Sequence, residues 1–335
     1  MSAKDPTLNT SARTDLSGLF RSTRGLDLAR RVALRKLLLA FALAAVLSFL
    51  SPLFLTRVSV LAMLDQSVVL GIVSIGMTFV VLTGGIDLSV GGVVGLTGIV
   101  LGLGLQYLSI PLAIAAAVLT GAGFGLVSGV LVGVFGLAAF VATLGVMAIA
   151  RSLASLLSGQ QSITAIPDRL QAILSMTPLG VPLHAIVLVV LCGAAWTYLA
   201  FAKGGRTLYA VGSNREAARA AGLNVGLYAV LPYVLSGVLA AVAATLAIAR
   251  LQTADPQMGS TLELDAIAAV VIGGASLSGG RGSVVGTLIG VFIMVMIRNG
   301  LNLLGVSPAW QGLAIGTLII GSLLIERATA RRLRR

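Results

Sequence analysis

The feature that most limits what this chain can become is the almost end-to-end recurrence of apolar runs about as long as a membrane is thick. From Val58 to Leu82 a single charged residue, Asp65, interrupts the run. Roughly 20 apolar residues in a helix suffice to cross about 30 Å of hydrocarbon. In lipid a spanning segment must satisfy its own backbone polar groups, which leaves helices or closed barrels. The runs are continuous and do not alternate with period two, so helices are expected. Candidate spans are Leu37 to Leu55, Val58 to Leu82, Val90 to Leu108, Pro111 to Phe135, Ala138 to Leu157, Pro182 to Phe201, Leu227 to Ala249, a shorter one near Leu264 to Ala275, Val284 to Leu304 and Pro308 to Ile325. The expected class is all-α, a polytopic helical membrane protein with about ten transmembrane helices. Composition agrees: 57% of residues are hydrophobic and only 10% charged, against about 25% charged in soluble domains.

A net charge of +12 raises the question of nucleic acid, and the placement of the charges answers it. Eight Lys or Arg lie within residues 1–36, four within 203–219 and five from Arg327 to the end. Basic clusters flanking apolar spans mark cytoplasmic segments, whereas nucleic-acid binding needs a folded basic face with base-reading residues, and none is visible. Both termini and the 203–226 loop are therefore expected in the cytoplasm. Six spans separate the first two clusters and four separate the second from the tail, so the parity is consistent. The expected organisation is a basic cytoplasmic arm over 1–36, with an interfacial helix around Leu26 to Leu37, a transmembrane domain over 37–326 and a basic tail over 327–335. The arm is too long and polar for a signal peptide. One cysteine, Cys192, permits no internal disulfide, and one histidine, His184, without a Cys/His cluster gives no metal site. Both are read as packed or interfacial side chains.

Glycine punctuates the spans unevenly. LTGGIDLSVGG (Leu82 to Gly92) places Asp87 among glycines at the end of an apolar run, where charge is expensive. GGIDLSVGGVVG (Gly84 to Gly95) is echoed by GGASLSGGRGSVVG (Gly273 to Gly286), an internal repeat in which Asp87 corresponds to Ser276. Both copies end a span on the same side of the membrane. Such glycines mark either broken or re-entrant helices or close helix contacts. Gly84, Gly85, Asp87, Gly273 and Gly274 are thus candidate gating or structural residues. Asp87 is placed near the cytoplasmic interface, capping the N-terminus of the third span, where negative charge is favoured.

The longest polar segment within the apolar region, GGRTLYAVGSNREAARAAGLNV (Gly204 to Val225), predicts a short helix outside the membrane. Ser213 or Asn214 can cap it, Arg215 to Ala221 are helix formers, and Gly222 can end it. EAARAAG resembles the loop through which permease subunits of ATP-binding-cassette importers dock onto their ATPase. AVGSNREAARAAGLNV is similar to the corresponding loop of ribose and other monosaccharide permeases. TGGIDLSVGG, FVATLGVMAIARSLA (Phe140 to Ala154) and RNGLNLLGVSPAWQG (Arg298 to Gly312) resemble their counterparts in the same order, so the likeness covers most of the chain from about residue 58. It departs at Leu231 and Pro232, which arrive early against the general docking loop, and at Ala138 and Ala139, where the family often has proline.

The resemblance implies a bacterial inner-membrane permease that forms a sugar path with a second permease subunit, identical or related. A periplasmic sugar-binding protein delivers the solute, and a separate ATPase subunit supplies the energy. No cofactor is held by the chain; it lacks a phosphate-cradling GxxxxGK[ST] sequence, so ATP belongs to the partner. Asn214, Glu216, Ala217, Ala218, Arg219 and Gly222 are the expected ATPase-coupling residues. Phe140, Thr143, Asn299, Asn302 and Gln311 are the candidate path residues, chosen because a neutral sugar needs hydroxyl-bonding groups and apolar ring contact. Arg151 and Arg298 must pair or face water, with Asp65 and Asp87 as possible partners. The same charged residues leave open an ion-coupled secondary transporter. An intramembrane enzyme finds no catalytic constellation.

Overall fold

The computed structural model describes residues 36–307, 309–317, 320, 321 and 324; the arm up to residue 35 and the basic tail lie outside the described residues. The first helices are α1 (Lys36–Leu50), α2 (Arg57–Leu82), α3 (Ser89–Tyr107), α4 (Ile110–Gly133), α5 (Ala139–Leu157), α6 (Asp168–Leu174) and α7 (Leu183–Phe201). They are followed by α8 (Lys203–Ser213), α9 (Arg215–Ala220), α10 (Val225–Leu251), α11 (Leu262–Ile272) and α12 (Val284–Leu303), with further helix over residues 309–317. No strand occurs among the described residues; one antiparallel bridge joins Ile163 to Ala254.

Seven of these helices are long and apolar enough to cross a membrane: α2, α3, α4, α5, α7, α10 and α12. The expectation of about ten is met by seven on this criterion because α1 is shorter within the described residues, α11 has only 11 residues, and the last span contains undescribed ones.

Packing is organised by glycine. Gly121, Gly125, Gly129 and Gly133 recur every fourth residue along α4 and so form one stripe. A methyl group on Gly121 would meet the carbonyl of Gly237 on α10, and one on Gly237 would meet the carbonyl of Gly121. On Gly129 it would lie 2.8 Å from the Val230 carbonyl oxygen. Backbones therefore touch directly, the usual way helices gain van der Waals contact where lipid removes the hydrophobic driving force between them. Besides α4, α10 packs on α2 and α3 and forms the centre of the bundle.

A second stripe, Gly91, Gly95, Gly98 and Gly102 on α3, accommodates a chain segment that is not helical. A Cβ on Gly102 would lie 2.9 Å from Ala254, one on Gly95 would lie 2.9 Å from the Pro256 oxygen, and one on Gly91 would lie 2.6 Å from the Gly259 oxygen. Residues 252–261 thus run down α3 towards its N-terminus and then continue as α11. Part of their backbone is satisfied by Ile163, whose N–H donates to Ala254 O (2.8 Å) and whose carbonyl accepts from Ala254 N (2.9 Å). Irregular backbone at membrane depth is tolerated where protein or a water-filled cavity surrounds it. The shorter candidate span at Leu264 to Ala275 is therefore a half-length helix, Leu262–Ile272, preceded by a non-helical segment of turns.

Candidate functional site at the shared helix ends

The C-terminal ends of α2 and α11, the two glycine-rich breaks and the α8–α9 segment meet at one end of the bundle. Both helices stop in the same way. Beyond α2, Gly84 N donates to Val81 O (2.9 Å) and Gly85 N to Val80 O (3.2 Å); beyond α11, Gly274 N donates to Val271 O (2.8 Å) and Ala275 N to Val270 O (3.1 Å). This paired closure needs a left-handed residue after the cap. Gly84 (φ 77°) and Gly274 (φ 88°) supply it. The helix ends are thus offset by one residue within the repeat, while the turns that follow keep the sequence register. Asp87 Oδ1 accepts from Ser89 N (3.0 Å), and Ser276 Oγ accepts from Ser278 N (3.3 Å).

Asp87 is only 2% exposed. Its carboxylate accepts from the Ser89 hydroxyl and, through Oδ2, from the Ser236 hydroxyl of α10 at 2.7 Å. The carboxyl group is accommodated by two donors of Ser89 at the first turn of α3 and by the Ser236 hydroxyl of α10, not by proximity to bulk water as the sequence suggested. Thr143 on α5 is fully buried and clamps the same break: its Oγ1 accepts from Leu88 N (3.1 Å) and lies 2.8 Å from Ala139 O. Gly85 sits where a Cβ would strike the Tyr233 hydroxyl, and Gly273 where it would lie 2.6 Å from Gly286 O.

The two breaks touch. Gly280 N donates to Leu82 O (2.9 Å), and the buried Thr78 and Thr287 hydroxyls are 2.7 Å apart. Lys36 Nζ donates to Gly273 O, which brings the start of α1 to the same end. The C-terminus of α8 is wedged between the breaks: a Cβ on Gly212 would collide with Leu82 O and lie 2.7 Å from Gly280 N. Tyr209 Oη donates to Gly282 O (2.8 Å), and burial pushes its phenol above the ordinary range, so it acts as a neutral donor. Helix α8 itself was not foreseen. Gly204 and Gly205 disguise it, although Leu208 and Val211, three apart and buried, are its signal.

The short helix α9 follows at once. Asn214, not Ser213, caps it, accepting from Ala217 N at 2.9 Å, and Gly222 (φ 78°) terminates it. Glu216, Ala217, Arg219 and Gly222 are exposed, whereas Ala218 is buried against Val211 and Val225. Arg215, its first residue, reaches back so that Nη2 donates to Thr83 O (3.3 Å). A polar cavity of about 350 Å³ opens here, lined by Thr83, Gly84 and Gly85, by Val132, Leu137 and Ala139 of the α4–α5 turn, and by Gly212 to Arg215 and Ser278. Arg215 therefore connects an exposed helix to a broken one. Arg215→Ala is expected to speed amide hydrogen exchange at Gly84 and Gly85 several-fold while leaving membrane insertion intact, measured by hydrogen–deuterium exchange on the purified protein.

The five candidate path residues do not gather in one place; only Asn302 and Gln311 are hydrogen-bonded to each other. Phe140 is 56% exposed near the breaks. Asn299 is buried, its Nδ2 donating to Ser59 Oγ (2.7 Å) near the opposite end of α2, and Gln311 Nε2 donates to Asn302 Oδ1 (2.7 Å) and Val306 O (2.9 Å). Four of the five use at least one side-chain polar atom in a bond to the protein itself. The arginines do pair, but with Glu263 and Asp265 and not with Asp65 or Asp87. Arg151 Nη2 lies 2.9 Å from Glu263 and Arg298 Nη2 lies 2.6 Å from Asp265. Asp65 instead meets His184 Nε2 (2.9 Å) and Arg250 (3.5 Å), and Asp87 has no cationic partner among the described residues. Nor do those residues gather three metal-ligating side chains anywhere.

Residues 59–323 match the family described as the permease component of the branched-chain amino acid transport system. The chain is 40% identical to the ribose import permease of Escherichia coli (strain K12) over 298 residues, covering 87% of this chain and 92% of that one. It is 41% identical to the ribose import permease of Bacillus subtilis (strain 168), over 86% and 90% respectively. The galactose/methyl galactoside import permease of Escherichia coli (strain K12) is 33% identical, over 85% and 90%. No solved structure matches the chain.

Proposed function

The chain belongs to the family of transport-system permease components, and from that premise we propose that it forms the translocation path for a ribose-like monosaccharide in an ATP-binding-cassette importer. It is a multi-pass inner-membrane protein and a transport component, not an enzyme. The solute arrives on a periplasmic binding protein, and two permease subunits enclose the path. A separate ATPase subunit binds α9 and holds the ATP; the permease itself carries no cofactor. The chain makes ten passes in this reading, with α1 and the segment 252–272 each counted as one, and both termini are cytoplasmic.

The observation that carries the mechanism is the wedge of α8 between the two breaks, with α9 projecting from it. Movement of a partner bound to the exposed Glu216, Ala217 and Arg219 reaches Gly212, the Arg215–Thr83 contact and hence Asp87 in the break before α3. Both broken helices are then displaced together, since they share the Leu82–Gly280 hydrogen bond. The greater identity to ribose permeases than to the galactose one supports a pentose as solute.

Co-expression with the cognate ATPase and binding protein, followed by uptake of labelled ribose into vesicles, tests the proposal. Glu216→Ala and Gly222→Val are expected to reduce ATPase co-purification and uptake together while the permease still inserts. Uptake that continues without the ATPase and collapses with an uncoupler would instead identify an ion-coupled transporter.

A further inference from the structure

Two arginine–carboxylate pairs lie half a membrane deep, and they are not fully covered. Helix α11 has 11 residues, about 16 Å at 1.5 Å per residue. Its C-terminal end is at the breaks, so its first turn, with Glu263 and Asp265, lies about midway through a core roughly 30 Å thick. The two carboxylates are 9% and 8% exposed, whereas the side chains of Arg151 on α5 and Arg298 on α12 are 35% and 29% exposed. A charge at that depth costs at least about 2.5 kcal/mol when it faces lipid. Snorkelling to the interface does not relieve it, because each guanidinium is tied to a buried acid.

The backbone gives an independent argument. Ser260 and Thr261 end the non-helical segment beside these pairs and are exposed, with Thr261 Oγ1 accepting from Arg298 Nη2 at 3.3 Å. Irregular backbone exposed at such depth requires water or protein and is excluded from lipid. By contrast α4 contains no charged residue, nor does α7 beyond His184; α4 exposes leucine and valine, and α7 exposes Val189 and Val190.

We propose that this seam, formed by Arg151, Ser152, Thr261 and Arg298 around the first turn of α11, is the wall of the chain that faces the water-filled solute path. The inference rests on the importer reading and deepens it by replacing the earlier path candidates with these residues. Two cations and two anions cancel, so the wall offers hydrogen-bond donors and acceptors to a neutral polyhydroxy solute without a net field that would attract ions. Hydroxyls can be exchanged along it, and no single position holds the solute tightly.

The test uses the permease–ATPase complex in vesicles, with Cys192 replaced by alanine. Ser152→Cys, Thr261→Cys and Leu264→Cys probe the seam; Leu119→Cys and Val189→Cys probe the apolar faces of α4 and α7. Only a hydrated thiol ionises readily, so a permanently charged methanethiosulfonate should react at the seam at least about tenfold faster than at the control positions. Modification at the seam should also stop ribose uptake. Equal labelling rates at seam and control positions overturn the inference, as does a fully modified seam that imports as before. A complex that imports no ribose before modification counts against the importer reading alone, because the labelling rates still decide where water reaches.

Discussion

Replacing Gly237 by valine is expected to abolish recovery of folded, monodisperse protein, while Gly123→Val is expected to leave it close to unchanged. The two glycines differ only in what surrounds them. A side chain on Gly237 meets the backbone carbonyl of Gly121, while nothing lies within 4 Å of a Cβ on Gly123. Overpacking ordinarily costs about 1–3 kcal/mol because neighbouring side chains shift. Here the obstacle is backbone within a helix and cannot rotate aside, so α4 and α10 must separate over the length of their stripe. Contact is lost from Gly121 to Gly133, and α10 also supplies Ser236 to the Asp87 site. Size-exclusion profiles in detergent and thermal unfolding of the two variants compare these outcomes directly. Folded Gly237→Val protein with a wild-type profile would mean that the two backbones are not in contact.

Asp87→Ala is expected to lower the unfolding temperature and to eliminate uptake, with Asp87→Asn much milder in both respects. Alanine removes the acceptor of the Ser89 N–H and of the Ser89 and Ser236 hydroxyls. A buried donor left without a partner costs about 1–3 kcal/mol. The Ser236 hydroxyl, inside α10, can turn to a carbonyl one turn earlier, and the Ser89 hydroxyl lies 3.4 Å from Ser128 Oγ, so the lasting loss falls on the Ser89 N–H and on the link between the break and α10. Asparagine keeps one acceptor oxygen in place, and a hydroxyl can accept from its amide. Uptake driven by ATP should therefore survive Asp87→Asn, still dependent on the ATPase. If asparagine fails as completely as alanine, the site needs the negative charge itself and not merely its geometry.

The sequence made visible those parts of the molecule whose causes are local. The run from Val58 to Leu82 became α2, Arg57–Leu82, because its hydropathy alone demands burial. Asn214 and Gly222 marked the ends of α9 because capping chemistry acts within a few residues. The repeated glycine motif correctly pointed to two helix ends that behave alike. What remained hidden depended on partners far along the chain. LQTADPQMGST reads as an exterior loop, and only the α3 stripe, some 150 residues earlier, explains why it enters the bundle. The pairing of Glu263 and Asp265 is equally hidden, because their arginines lie on α5 and α12. Asn299, Asn302 and Gln311 looked available for solute because hydrogen bonds to Ser59 or to one another leave no mark on a linear pattern.

The non-helical segment on α3 also bears on how the protein is made. Neither residues 252–261, with Asp255 and two glutamines, nor the 11-residue α11 is apolar over the length that membrane insertion of a lone helix demands. Synthesis runs from the N-terminus, so α3 and its glycine furrow exist before this segment leaves the ribosome. It must enter the bilayer as a passenger, drawn against an acceptor already in place. Biogenesis of this permease then has a fixed order: a bulky residue in the furrow would interrupt assembly at a late step, after α10 was in place and before α12 could follow.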